Sequence, residues 1–141
     1  MKAGHFNALQ DPLLKPCLPE TVKARPEIVA ALHKHGFASA ATALTGKIAR
    51  VQSRYIHDGD IALYLDGSGN KLVGEIYWFA KIGGEVFVAL STWPLKRDLG
   101  FFRKVVMEDN FSIIPLAQLI QAMIFAATGI GKMATVIMPS L

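Results

Sequence analysis

The stretch 59–98, GDIALYLDGSGNKLVGEIYWFAKIGGEVFVALSTWPLKRD, constrains the fold more than any other part of the chain. Three blocks of β-favouring residues are separated there by two glycine-rich turns, the pattern of an antiparallel meander and not of a catalytic motif. In the first block Ile61, Leu63 and Leu65 point one way while Ala62 and Tyr64 point the other. Asp66 to Asn70, DGSGN, supplies a turn whose glycines accept positive φ without steric cost. The second block, 72–80, sets Leu72, Gly74, Ile76 and Trp78 against Val73, Glu75, Tyr77 and Phe79, so both faces carry bulk and both expect partial cover. Gly83 and Gly84 make the next tight turn into a third strand over 86–93. Pro94 ends it, because proline donates no hydrogen bond to a ladder.

The flanks place this meander in one domain. With 141 residues, 52% of them apolar and only 18% charged, the chain has the length and composition of a single folded unit. Residues 1–25 contain Pro12, Pro16 and Pro19 and read as an extended arm, whose Phe6, Leu9, Leu13, Leu14 and Leu18 favour docking on the domain or on a partner. A helix is predicted over 26–35: Pro26 stands at its first position, Glu27 in its first turn, and Gly36 where a left-handed stop is wanted. The small residues of 37–47 suggest a second short helix ending near Gly46, and alternation is imperfect over 48–56. Beyond the meander, a strand is expected over 102–107 and a turn or single-turn helix from Ile113 to Ile120. Residues 123–127 and 133–138 pair across 128–131 as a last hairpin. The expected fold is mainly β with minor α: a globular domain over 26–141, with a small antiparallel β-barrel at about 54–138 preceded by the arm and helix.

A formal charge of +4 is compatible with nucleic acid, acidic protein tails or an anionic membrane surface, and selects none of them. Cys17 is the single cysteine, so no disulfide forms within the chain and a reducing compartment is the simpler expectation. The first residues lack an apolar run of signal-peptide length, which disfavours secretion. Between Asp109 and Lys132 the chain carries no charge, a length that could cross a bilayer near 113–130. Pro115, Gln118, Gln121, Gly129 and Gly131 interrupt it, so a buried globular segment is preferred and a membrane partner disfavoured.

Chemistry-bearing residues are sparse. His33 and His35 project to different sides of a helix, and no CxxC or HExxH spacing joins them to His57 or Cys17, so no metal site is expected. The segment HDGD at 57–60 reads as turn chemistry ahead of a strand. TGIGK at 128–132 lacks the full phosphate-loop spacing and reads as a hairpin turn, and Cys17 has no neighbour to activate it. No pair of groups implies a reaction, so neither an enzyme nor a cofactor is expected. The basic cluster is Lys96, Arg97, Arg103 and Lys104, flanked by Trp93, Phe101 and Phe102, an interleaving of cations and aromatics that suits phosphates, bases or acidic tails.

Taken together, GDIALYL, LVGEIYWFAKI and GEVFVALSTWPLKRD resemble the opening of a bromo-adjacent homology domain, a chromatin-associated module on a distorted, SH3-like β-barrel. VVMEDNFSIIPLAQLI is similar to a later element of that family, and the resemblance covers about residues 54–125. Some members hold methylated lysine in an aromatic cage. At the positions aligned with cage aromatics this chain has Leu72 and Leu90, leaving Tyr64, Tyr77, Trp78 and Trp93 as aromatics from elsewhere. The resemblance implies a nuclear, or at least intracellular, non-catalytic module that binds a protein or chromatin partner. Tyr64, Trp78, Trp93, Lys96, Arg97, Arg103 and Lys104 are its expected binding residues, on a face formed by the strand 86–93 and the loop 96–104. Direct nucleic-acid binding through the same basic residues is the alternative.

Overall fold

The computed structural model describes residues 15–127 and 131–138. A short strand β1 (Val22–Lys23) leads into the helix α1 (Pro26–Lys34), a 3₁₀ turn at Ala40–Thr42, and strands β2 (Leu44–Gly46), β3 (Ile48–Val51) and β4 (Arg54–His57). The meander follows as β5 (Ile61–Leu65), β6 (Lys71–Ile82) and β7 (Glu85–Thr92). After it come β8 (Leu95–Asp98), β9 (Phe102–Val106), β10 (Phe111–Pro115), a 3₁₀ turn at Leu116–Gln118, β11 (Leu119–Ala122), β12 (Ile124–Ala127) and β13 (Met133–Ile137). The protein is mainly β with minor α, and its strand pairings are antiparallel.

The twelve-residue β6 organises the molecule. Its one edge pairs with β7 from Gly74 to Ile82, while its other edge is divided, β5 taking 71–75 and β2 taking 79–81. β11 adds to β5, β10 to β7 and β1 to β2, giving a seven-stranded sheet. A second sheet runs β12-β13-β9-β8, and β3-β4 form a separate hairpin. The expected barrel is corrected here: among the described residues no ring of strand pairing closes. The chain leaves the first sheet after β7 to build the second, so apolar faces are covered by stacking and not by closure.

A β-bulge at Tyr77 decides which face each aromatic serves. Ile76 pairs with Leu90 but Trp78 pairs with Ala89, so one extra residue lies on β6 and the alternation changes parity. Before the bulge Ile76 enters a core with Tyr64, Val88 and Leu90; after it Phe79, not Trp78, continues that core. Trp78 turns instead toward the layer of Ile28, Leu32 and Ala80 beneath α1. The uninterrupted alternation read from the sequence over 72–80 fails at this residue. A third core lies between the sheets, where Ile61, Leu63 and Val73 meet Trp93, Val105, Ala134 and Val136.

The helix forms as expected, with Pro26 in its first turn, Ile28 and Leu32 buried, and Gly36 at φ +91° beyond its end. The second helix expected over 37–47 does not form. One 3₁₀ turn is followed by β2, whose Thr45 donates its hydroxyl to the Phe79 carbonyl at 2.7 Å, so sheet pairing prevails over a run of small residues with weak preference. The described part of the arm docks on the domain: Leu18 packs on the first core, Cys17 bridges to Arg50, and β1 pairs with β2. In the uncharged region, the expected single-turn helix stands at Leu116–Gln118 between β10 and β11, and the expected last hairpin is β12-β13. Among the described residues no helix is long and apolar enough to cross a membrane.

Candidate binding groove and basic hairpin

Where the arm and α1 meet β4 and the Tyr77 bulge, the surface opens into a groove of about 650 Å³. Pro19, Glu20 and Val22 form one wall, Tyr55, Tyr77 and Trp78 line it with aromatic rings, and Asp58 adds a carboxylate. Tyr55 is 58% exposed, although it sits in a four-residue strand whose Ile56 is fully buried. Without a bulge, Tyr77 and Trp78 would point to opposite faces of β6. The irregularity brings both to the groove.

The rings are braced from behind. Tyr77 stacks on Phe111 at a centroid distance of 5.9 Å, and His35 meets Phe111 edge-on at 5.0 Å. The Tyr77 hydroxyl donates to Asp109 at 2.9 Å. Burial pushes its pKa above the ordinary tyrosine value; Ser91 opposes this, while the hydrogen bond to Asp109 adds to it. Tyr77 therefore presents a neutral ring. Arg25, also in the lining, is paired with Glu27 at 3.1 Å, so its charge is already partnered.

The basic residues occupy the β8-β9 hairpin. Lys96 and Arg97 are exposed, and Arg97 lies opposite Lys104. Arg103 differs from its neighbours. Its Nη1 donates to the Lys71 carbonyl at 2.9 Å and its Nε lies 3.5 Å from Asp98, so it ties the hairpin to β6. Phe101 and Phe102 remain exposed at the tip, 70% and 46%.

The residues singled out from sequence thus separate into three places. Tyr64 and Trp93 lie in the core, 3% and 5% exposed. The Tyr64 hydroxyl hydrogen-bonds Thr92, and burial raises its pKa in spite of that bond. Trp93 packs edge-on against Phe125 at 5.7 Å. Trp78 joins the groove, and Lys96, Arg97 and Lys104 share the hairpin. Within β7, Val88, Ala89, Leu90 and Ser91 are all buried, while Val86, Phe87 and Thr92 are half-buried. Leu72 and Leu90, at the aligned cage positions, pack in or against the first core.

Sequence reasoning missed Tyr55, whose signal was the alternation of Arg54-Tyr55-Ile56-His57 within a segment that looked irregular. The HDGD segment is a turn: the His57 amide donates to Asp60 Oδ2 at 2.8 Å, and Gly59 has φ +85°. His35 Nδ1 lies 2.9 Å from the Ala31 carbonyl, bonded to its own helix. Among the described residues no group of three or more His, Cys, Asp or Glu side chains could hold a metal ion. Residues 128–130 of the glycine-rich TGIGK segment lie outside the described residues. Compared with protein-family models and with curated proteins, the chain matches none.

Proposed function

We propose that this chain is a non-catalytic interaction module that takes a cation-bearing segment of a protein partner into the groove. The observation that carries the reading is the convergence of Tyr55, Tyr77 and Trp78 with Asp58 on one open groove. Aromatic faces attract lysine or alkylated ammonium groups through their quadrupole, and a carboxylate at the rim adds a directional contact. With Arg25 partnered by Glu27, the carboxylates of Glu20 and Asp58 outnumber the remaining cation, Lys47, in the lining, so charge and ring faces favour the same cationic ligand. A chromatin component, and with it a nuclear location, is the partner class that the resemblance to bromo-adjacent homology domains implies.

Tryptophan emission tests this directly, because Trp78 lines the groove while Trp93 is buried and serves as an internal reference. Lysine-rich peptides, unmodified and trimethylated, should change emission saturably, and an acidic peptide should not. Tyr55→Ala should weaken binding about 2- to 30-fold, equivalent to the roughly 0.5–2 kcal/mol of one cation–π contact, with the fold intact by circular dichroism. Unaltered affinity in that variant would reject the groove.

A second reading is nucleic-acid binding through the β8-β9 hairpin, favoured by exposed Lys96 and Arg97 beside exposed Phe101 and Phe102. Phosphate contacts release counterions, so such binding should fall steeply with added salt and weaken in Arg97→Glu. Salt-insensitive binding speaks for the protein partner.

A further inference from the structure

The two outer strands of the β12-β13-β9-β8 sheet are guarded very differently. β8 reads Leu-Lys-Arg-Asp, exposed along its whole length, and charge on an edge strand opposes pairing with another chain. β12 reads Ile-Phe-Ala-Ala, with no charge and no proline, and Ile124 is 70% exposed. Among the described residues β13 is the one strand paired with it, so the outer edge of β12 has no β partner there.

The sheet face beside that edge is apolar too. Val105, Ala134 and Val136 point into the core between the sheets, so the alternate residues face outward. Ile124, Ile137 and Phe102 stand in register across three strands as one outward row, 70%, 42% and 46% exposed. The next row carries Lys104 with Arg97 opposite it on β8.

We infer that β12 pairs antiparallel with β12 of a second copy of this chain about a two-fold axis, joining the two four-stranded sheets into one of eight strands. The contrast between the two edges selects this occupant, since one unguarded edge and one charged edge allow a closed pair of copies and no further growth. An uncharged edge offers nothing to steer a charged strand, and it meets its own copy without repulsion. The two-fold also sends the basic hairpins to opposite ends. Three strand spacings, about 14 Å, separate β8 from the junction, beyond the screening length of about 8–10 Å at physiological salt. Joining through β8 would set Lys96 and Arg97 against their own copies instead. With Ile124 opposite its own copy, each apolar row continues into its counterpart, and Ile124 loses its water while Lys104 and Arg97 stay solvated.

Sedimentation velocity from low to high micromolar concentration tests the pairing, independently of any ligand in the groove. The wild-type chain should show a reversible monomer–dimer equilibrium. Ile124→Lys should raise its dissociation constant about tenfold or more, the effect of roughly 1.4 kcal/mol. Ala126→Lys, at another exposed position of β12, repeats the test should the first variant fold poorly by circular dichroism. Arg97→Glu should leave the dimer unchanged. A wild-type chain that stays monomeric throughout, with or without a foreign strand bound at this edge, overturns the inference. So do open-ended assembly, or lysine variants that dimerise as tightly as wild type.

Discussion

Replacing Gly74 with alanine tests the tightest junction in the fold. Gly74 has no positive φ, so conformational freedom is not why glycine stands there. A Cβ would lie 2.8 Å from the Ser91 carbonyl oxygen and 3.3 Å from Leu90 Cδ1, both inside ordinary contact distance. Ser91 has nowhere to retreat: its hydroxyl donates to the Glu108 carbonyl at 2.5 Å and accepts from the Asn110 amide at 2.8 Å, and it is fully buried. Overpacking costs about 1–3 kcal/mol, and the restricted unfolded chain returns about 0.4–1, for a net loss of about 1–2 kcal/mol. With a urea dependence of about 1–3 kcal/mol per molar, the unfolding midpoint should fall by about 0.3–2 M. Gly46→Ala is the matched control, since its Cβ would meet the Glu20 carbonyl at 2.7 Å. Residues 19–21 are exposed and can yield, so that variant should lose under about 0.5 kcal/mol while disturbing the groove wall. Urea melts followed by circular dichroism read both variants, and equal losses would refute the argument that a pinned Ser91 sets the cost.

Two further outcomes follow from the same geometry. Trp93→Ala should act on stability by about 3–5 kcal/mol, the usual cost of truncating a buried tryptophan, since it empties the core between the sheets and removes Phe125's edge-on partner; urea melts check it, and a fully stable variant with weakened binding would return Trp93 to the recognition surface. In the β5-β6 turn, the Asn70 amide donates to Asp66 at 2.9 Å and is the main cause holding its carboxyl below the ordinary value, with the Asn70 side chain and the Ser68 and Gly69 amides assisting. A depressed folded pKa stabilises above the unfolded value of about 3.9 and loses that contribution as pH falls through the folded value. Asp66→Ala should therefore melt below wild type at neutral pH, with the gap closing in acid; a gap independent of pH would sink the assignment.

Order along the chain suffices for the local elements whose signals need no distant partner. Pro26, Glu27 and Gly36 delimit a helix, DGSGN and Gly83-Gly84 turn the meander, Pro94 closes its last strand, and Ile-Pro-Leu breaks the uncharged region into strands and a single turn. Those residues act through backbone sterics and short-range hydrogen bonds, which are written in the local order of the chain. The remaining features arise from contacts between segments far apart in the chain. Whether 37–47 became helix or strand depended on an open segment of β6 that could accept Thr45. The fate of Trp78 and Phe79 turned on one bulge, because a single inserted residue exchanges the faces of everything beyond it. Tyr64 and Trp93 look like recognition aromatics in a linear reading, yet the second sheet buries Trp93, and the first core, with Ile56, Leu116 and Leu119, buries Tyr64. Tyr55 joins Tyr77 and Trp78 because the turn that follows β4 is hydrogen-bonded to β6, Gly59 to the Ile76 carbonyl and Ile76 to the Asp60 carbonyl, a proximity that exists in space and has no counterpart along the sequence.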